Sequence, residues 1–266
     1  MRNRIDTTFR RLRREKKAAF IPFLTVGYPG VKTSERLILA CARAGADVIE
    51  LGVPFSDPIA DGPVIQMSSE AALANGVTLA GVLRLVRRLR RATQVPLAAM
   101  TYFNPVLAYG PLRFIREAKA SGLDAVIVPD LPAQEERSFM RRAEEAGLHV
   151  ILFVAPTTSQ KRLRFIARRA RGFIYFVSLT GVTGARKRLA DDLKAQLKRI
   201  ARAAGRVPVC VGFGISTPAH ARTVAGHSDG VIVGSALVKE IIRLRGRRDL
   251  VARVARFVSR LSRACH

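Results

Sequence analysis

The sequence predicts an α/β barrel of the TIM type, and two observations lead there. Short runs of β-branched and other apolar residues recur along the whole chain, separated by amphipathic helical stretches, and eight such runs can be counted. Most helical stretches also stop at a small residue followed by glycine, just before the next apolar run. Glycine is favoured past a helix end because it accepts φ > 0, so each pair reads as a helix stop feeding a strand. Buried parallel strands alternating with helices make the α/β class, and eight units closing on themselves make the barrel. A doubly wound sheet is the alternative, disfavoured because the first strand-to-helix turn lacks a Gly-x-Gly-x-x-Gly fingerprint.

Taken in order, the chain opens with a basic amphipathic stretch, Arg4 to Lys17, which predicts an extra N-terminal helix. Ala19 to Thr25 reads as the first strand and ends in the turn Gly27-Tyr28-Pro29-Gly30. The helix stops then recur: Ala44-Gly45 before Val48-Ile49, Ser121-Gly122 before Ala125 to Val128, and Ala146-Gly147 before Val150 to Phe153. Ala204-Gly205 precedes Val209 to Val211, and Ala225-Gly226 precedes Val231 to Val233. Leu97 to Met100 and Phe173 to Val177 supply the remaining two strands. No composition shift or low-complexity linker interrupts the series, so residues 1–266 read as one domain.

The composition bounds the function. No apolar run approaches the roughly 18 to 20 residues that span a bilayer, and no apolar segment of signal-peptide type follows the Arg-rich start, which predicts a soluble, cytoplasmic protein. Cys41, Cys210 and Cys265 are widely spaced and suggest neither a disulfide framework nor a zinc site. The four histidines, His149, His220, His227 and His266, show no spacing suited to a metal or a triad. The formal net charge of +26 favours contact with polyanions or acidic partners. Arg84, Arg87, Arg88 and Arg91 recur at helical spacing, as do Arg253, Arg256, Arg260 and Arg263, and read as solvated outer helix faces. No aromatic residues interleave them, so only non-specific contact with nucleic acid is expected.

Chemistry concentrates in the stretch Val48 to Pro63. Its strand carries a carboxylate, Glu50, inside an apolar run, a placement tolerated where the group is paired or where its raised pKa is used. The loop that follows holds three prolines and two further carboxylates, Asp57 and Asp61. Strand ends elsewhere offer Tyr102, Asn104, Asp130, Tyr175 and the glycine turns Gly181-Val182-Thr183-Gly184, Gly212-Phe213-Gly214 and Gly234-Ser235. Glycine turns after the last two strands, with a helix beginning near Ser235, suit a phosphate.

The stretch E-L-G-V-P-F-S-D-P-x-A-D-G-P, Glu50 to Pro63, resembles the signature of the tryptophan synthase α-subunit family, and the likeness continues through almost the whole chain. The resemblance implies a lyase that cleaves indole-3-glycerol phosphate by a retro-aldol reaction with no metal or organic cofactor. It implies Glu50 as the acid/base and Asp61 as the partner of the indole N–H. Tyr175 either assists or simply fills the barrel mouth. Gly184, Gly214, Gly234 and Ser235 match the family's phosphate-binding positions. Phe20, Met100, Tyr102, Ile127, Phe153 and Phe213 would supply an apolar slot for the indole, and most would serve equally well as core. Ser178 to Leu189 resembles the family's mobile lid. The implied partner is the β subunit, which carries pyridoxal phosphate, in an α2β2 assembly. A stand-alone, indole-releasing lyase and a barrel that uses its basic surface to bind nucleic acid are the alternatives.

Overall fold

The computed structural model describes residues 3–132, 137–177, 186–212 and 214–266, with side chains described from residue 193 onward in the helix that starts at 186. The chain begins with α1 (Arg4–Glu15), β1 (Ala19–Thr25), α2 (Val31–Arg43) and β2 (Ile49–Gly52). Two helices, α3 (Pro63–Ala74) and α4 (Leu79–Leu89), lead to β3 (Leu97–Met100). Two more, α5 (Phe103–Tyr109) and α6 (Pro111–Ser121), lead to β4 (Ala125–Ile127). The units α7 (Arg137–Glu145) with β5 (His149–Val154), α8 (Gln160–Arg169) with β6 (Ile174–Val177), and α9 (Arg186–Ala204) with β7 (Val209–Gly212) follow. The chain closes with α10 (Pro218–Ala225), β8 (Gly230–Val233), α11 (Ser235–Arg243) and α12 (Leu250–Cys265). The eight strands pair in parallel, in sequence order, and β8 returns to β1 to close the barrel. The fold class and the extra N-terminal helix are those expected.

The helix stops behave as glycine chemistry requires at Gly45, Gly122, Gly147 and Gly205, all at positive φ. Gly226 differs. It stays right-handed at φ −66°, and the chain runs on through one more hydrogen-bonded turn, His227 N–H to Val224 O, before β8.

Alternation along the strands builds two apolar layers. Ile21, Ala98, Ile127, Ile151, Phe173 and Ile232 fill the barrel interior, while Leu24, Leu51, Val126, Leu152, Phe176 and Val233 face the helices. The lower end of the barrel is closed by α1, whose Ile5, Phe9 and Leu12 join the interior cluster, with Phe9 against the Phe173 ring at 5.8 Å.

Three aspartates pin that lower end. Each stands just before an even-numbered strand and accepts an N–H at the start of the strand before it. Asp47 takes Phe20 N–H at 3.0 Å, Asp124 takes Leu97 N–H at 2.9 Å, and Asp229 takes Val209 N–H at 2.9 Å. Asp124 also holds the buried Arg90 guanidinium at 2.5 Å and Arg4 at 3.0 Å, while Asp47 holds Arg11 and His266 at 2.8 Å each. Burial lowers the Arg90 pKa to about 10, against the opposing pull of Asp124. His149 is tied to Asp6 at 3.0 Å, so two of the four histidines serve as struts far from the strand C-termini.

Arg84, Arg87 and Arg88 are exposed on α4, as are Arg256, Arg260 and Arg263 on α12, and form the solvated helix faces that their spacing predicts, whereas Arg91 is exposed in the turn after α4. Arg253 is half-buried and paired with Asp249.

Candidate active site

The C-terminal ends of the strands converge on Glu50. It sits on β2 level with Phe23 of β1 and Ala98 of β3, and its side chain is fully buried. Neither carboxylate oxygen has a hydrogen-bond partner among the described residues. A buried carboxylate without compensation resists ionisation, and burial pushes the Glu50 pKa up to about 8. Glycine makes the room around it. A Cβ on Gly52 would lie 2.4 Å from the Phe23 ring, so only glycine lets that ring cross the end of β2.

Asp61 reaches the site from the loop between β2 and α3. The loop is folded by the Asp61 N–H to Pro58 O bond at 3.0 Å, and the side-chain amide of Gln66 holds the Asp61 carbonyl at 2.8 Å. Tyr102, just past β3, donates its hydroxyl to Asp61 Oδ2 at 3.1 Å and accepts the Ala60 N–H at 2.9 Å. Burial raises the Asp61 pKa to about 6, held back by that tyrosine hydrogen bond. The two carboxyls therefore sit on opposite sides of neutrality: at pH 7 Glu50 is mostly protonated and Asp61 mostly ionised.

Tyr175 of β6 stands near both. Burial raises its phenol pKa first, and the charges of Glu50 and then Asp61 raise it further, which keeps the hydroxyl neutral and able to donate. Its ring packs on Phe153 at 4.9 Å and over Gly212, where a Cβ would meet the hydroxyl at 2.5 Å. Met100 and Phe153 line the same interior, and Ile127 sits there fully buried.

Phe20 is a correction. It is fully buried but belongs to the layer between sheet and helices, in register with Val231, whereas its neighbour Ile21 pairs with the interior Ile232. Side chains on a strand alternate faces, so Phe23 rather than Phe20 looks into the mouth. There Phe23 packs with Ile65 of α3 and Val238 of α11, residues the sequence reading did not single out. Asp130 is also taken up structurally, since both its oxygens accept the Phe103 N–H that starts α5.

The last turn of the site is the start of α11. Gly234 is its N-cap, and no side chain caps the helix; Leu237 N–H bonds the Gly234 carbonyl at 2.9 Å, so the N–H groups of Ser235 and Ala236 are the ones left for a ligand at the barrel mouth. A Cβ on Gly234 would lie 3.6 Å from Phe23, ordinary contact, so the glycine is not required by packing alone. Ser235 is exposed beside it, and Gly214 follows β7 at φ +74°. Gly184, Phe213 and the segment 178–185 of the expected lid lie outside the described residues. Among the described residues no three His, Cys, Asp or Glu side chains converge as a metal site would need.

Comparison with known proteins agrees with this geometry. The family model described as tryptophan synthase alpha chain matches residues 9–266. The tryptophan synthase alpha chain of Geobacter sp. (strain M21) is 48% identical, over 97% of this chain and 96% of that one. That of Geobacter sulfurreducens is 48% identical over 98% of each. Among solved structures, tryptophan synthase subunit alpha from Legionella pneumophila str. Paris superposes with a TM-score of 0.92 at 38% identity, covering 100% of this chain and 99% of that one. A chain of M. tuberculosis tryptophan synthase in its aminoacrylate-bound form superposes with a TM-score of 0.88 at 34% identity, covering 99% and 100%. With identity this high over nearly the full length, and a glutamate buried at the centre of the barrel mouth, the chain belongs to the tryptophan synthase alpha chain family.

Proposed function

We propose that Glu50 and Asp61 divide the acid/base and electrostatic work of cleaving indole-3-glycerol phosphate to indole and glyceraldehyde 3-phosphate. This lyase reaction belongs to tryptophan biosynthesis and is the activity of the family. The single observation that carries the division of labour is the Glu50 carboxyl: fully buried, unpartnered among the described residues, and with its pKa raised to about 8.

The protonated Glu50 gives its proton to C3 of the indole ring, which turns the ring nitrogen into an iminium. The carboxylate left behind takes the proton of the side-chain hydroxyl next to C3. The carbon-carbon bond then breaks, its electron pair returns to the ring, and an aldehyde forms at the former hydroxyl carbon. Glu50 ends the cycle protonated, as it began. Ionised Asp61 accepts the indole N–H and stabilises the positive charge that develops on the nitrogen. Tyr102 fixes that carboxylate from behind. The helix start at Gly234 and Ser235, with Gly214, receives the phosphate, and Met100, Ile127, Phe153 and Phe23 enclose the indole. Tyr175 presents a neutral hydroxyl beside Glu50.

Every proton the cleavage moves is accounted for by these side chains, so the chemistry assigned here calls on no cofactor. Pyridoxal phosphate belongs to the β subunit, which we take as the partner in an α2β2 assembly. The three cysteines are buried and unpaired, which fits a reducing, cytoplasmic setting. We also read residues 1–266 as one domain, since all eight strands close a single barrel.

The test is indole release from indole-3-glycerol phosphate by the purified chain, compared with Glu50→Gln and Asp61→Asn. Each variant is expected to lose at least about 100-fold in turnover, the lower end of what a positioned acid/base contributes. Near wild-type turnover in either would remove that residue from its role.

A further inference from the structure

We infer that the groove between α2, α11 and α12 is a binding site for a linear phosphate chain, of which the phosphodiester backbone of nucleic acid is the expected form. The groove encloses about 940 Å³ on the outer wall of the barrel, separate from the residues assigned to the lyase. Eight arginines line it against two carboxylates.

The carboxylates are already taken. Glu240 is held by Arg243 at 2.6 Å, and Asp249 by Arg253 at 2.6 Å and by Arg247 at 3.0 Å. The hydrogen bond from Arg243 holds Glu240 below its ordinary pKa, with the charges of Arg243, Arg260 and Arg253 adding to it, and Arg243 engages both of its carboxylate oxygens, at 2.8 and 2.6 Å. Arg36, Arg43, Arg248, Arg256, Arg260 and Arg263 are exposed and have no carboxylate partner among the described residues. Six guanidiniums without an ion-pair partner around one concavity repel one another, and each offers a planar fork of donors that fits phosphate oxygens.

The spacing suits a chain rather than a single anion. Arg253, Arg256, Arg260 and Arg263 lie along one face of α12 and span about 15 Å of helix at about 1.5 Å per residue. Arg36 and Arg43 run beside them on α2, which packs directly against α12. The charge continues past α2 onto α4, whose Arg88 is tied to Glu35 of α2 at 2.9 Å and whose Arg84 and Arg87 are exposed, with Arg91 exposed in the turn that follows. No aromatic side chain lines the groove, so bases have nothing to stack on and the backbone alone is recognised.

The experiment measures binding of a labelled 20-nucleotide single strand, the matching duplex and an inorganic polyphosphate of similar charge by anisotropy or competition, from 50 to 300 mM salt. The full chain is compared with Arg256→Glu/Arg260→Glu/Arg263→Glu and with a charge-matched control on α8, Arg162→Glu/Arg164→Glu/Arg168→Glu. Indole release reports that both variants remain folded. The groove variant should bind at least about ten-fold more weakly, with the salt slope reduced by about 2 to 3 if three phosphate contacts are lost. The control should stay within about three-fold of the parent. Nucleic acid binding tighter than polyphosphate at equal charge identifies the backbone, and the reverse identifies free polyphosphate as the source of the same chemistry. Equal losses in the two variants would assign the affinity to net charge and overturn the site, as would unchanged binding in the groove variant or no binding by the parent. Polyglutamate of equal charge binding as tightly would overturn phosphate recognition.

Discussion

Replacing Glu50 by glutamine should make the protein inactive and, above acidic pH, more stable. Glutamine keeps the size and removes the titration. In the folded chain the Glu50 pKa rises from 4.5 to about 8 because burial penalises the charged form. A raised folded-state pKa gives stability that is fully present below the unfolded value and is lost as pH rises through the folded one. Each pH unit inside that window costs the folded state about 1.4 kcal/mol. By pH 7 the native protein has forfeited about 3 kcal/mol relative to pH 4.5, and the glutamine variant has forfeited nothing at this position. The difference in unfolding free energy between variant and parent should therefore grow steadily from pH 4.5 to pH 8 and then level off. Other titrating groups cancel in that difference. The assay is urea denaturation of both proteins at pH 4.5, 6, 7 and 8, beside indole-release kinetics. A stability difference that does not change with pH would refute the account of Glu50 as a neutral, desolvated acid.

The pH profile of kcat/KM should be bell-shaped, falling below about pH 6 as Asp61 protonates and above about pH 8 as Glu50 ionises. Tyr102→Phe removes a hydrogen bond that favours ionised Asp61, so the acid limb should move to higher pH while the basic limb stays; movement of both limbs would contradict the assignment. Gly234→Asp should raise KM for the phosphorylated substrate at least about ten-fold by setting a negative charge against the helix start, whereas Gly234→Ala, for which there is room, should change it little. Equal effects of the two substitutions would point to packing instead. Asp124→Ala should destabilise the fold by about 3 to 5 kcal/mol, because it strands the buried Arg90 and the Leu97 N–H; a thermal melt decides it. Adding a cognate β subunit should raise indole formation by roughly one to two orders of magnitude, the scale of a coupling of about 1–3 kcal/mol, since a partner seated on the loop that carries Asp61 would also set the position of that carboxylate. A stand-alone lyase would show high activity alone and no response.

By itself the sequence determined the strands and the chemistry that stands out from them. Period and glycine stops marked all eight strands, and the anomaly of a carboxylate in an apolar run marked Glu50, because both signals are local. The rest depends on partners distant in sequence. All seven residues of β1 are buried, so no polar face tells Phe20 from Phe23, and only the register with β2 and β8 decides which ring looks into the mouth. Tyr102 read as pocket lining; its bond to Asp61 crosses 41 positions and exists only once β2 and β3 lie side by side. The aspartates before β2, β4 and β8 carry no local signal of their purpose, since the N–H groups they accept belong to the preceding strands. Arg90 sits among exposed arginines in the sequence and is drawn inward because Asp124 waits at the base of the barrel, where a buried charge must be paired. Local pattern fixes what each segment is, while closure of the barrel fixes which face of it meets which neighbour, because side-chain direction in a doubly buried strand is set by its pairing and not by its composition.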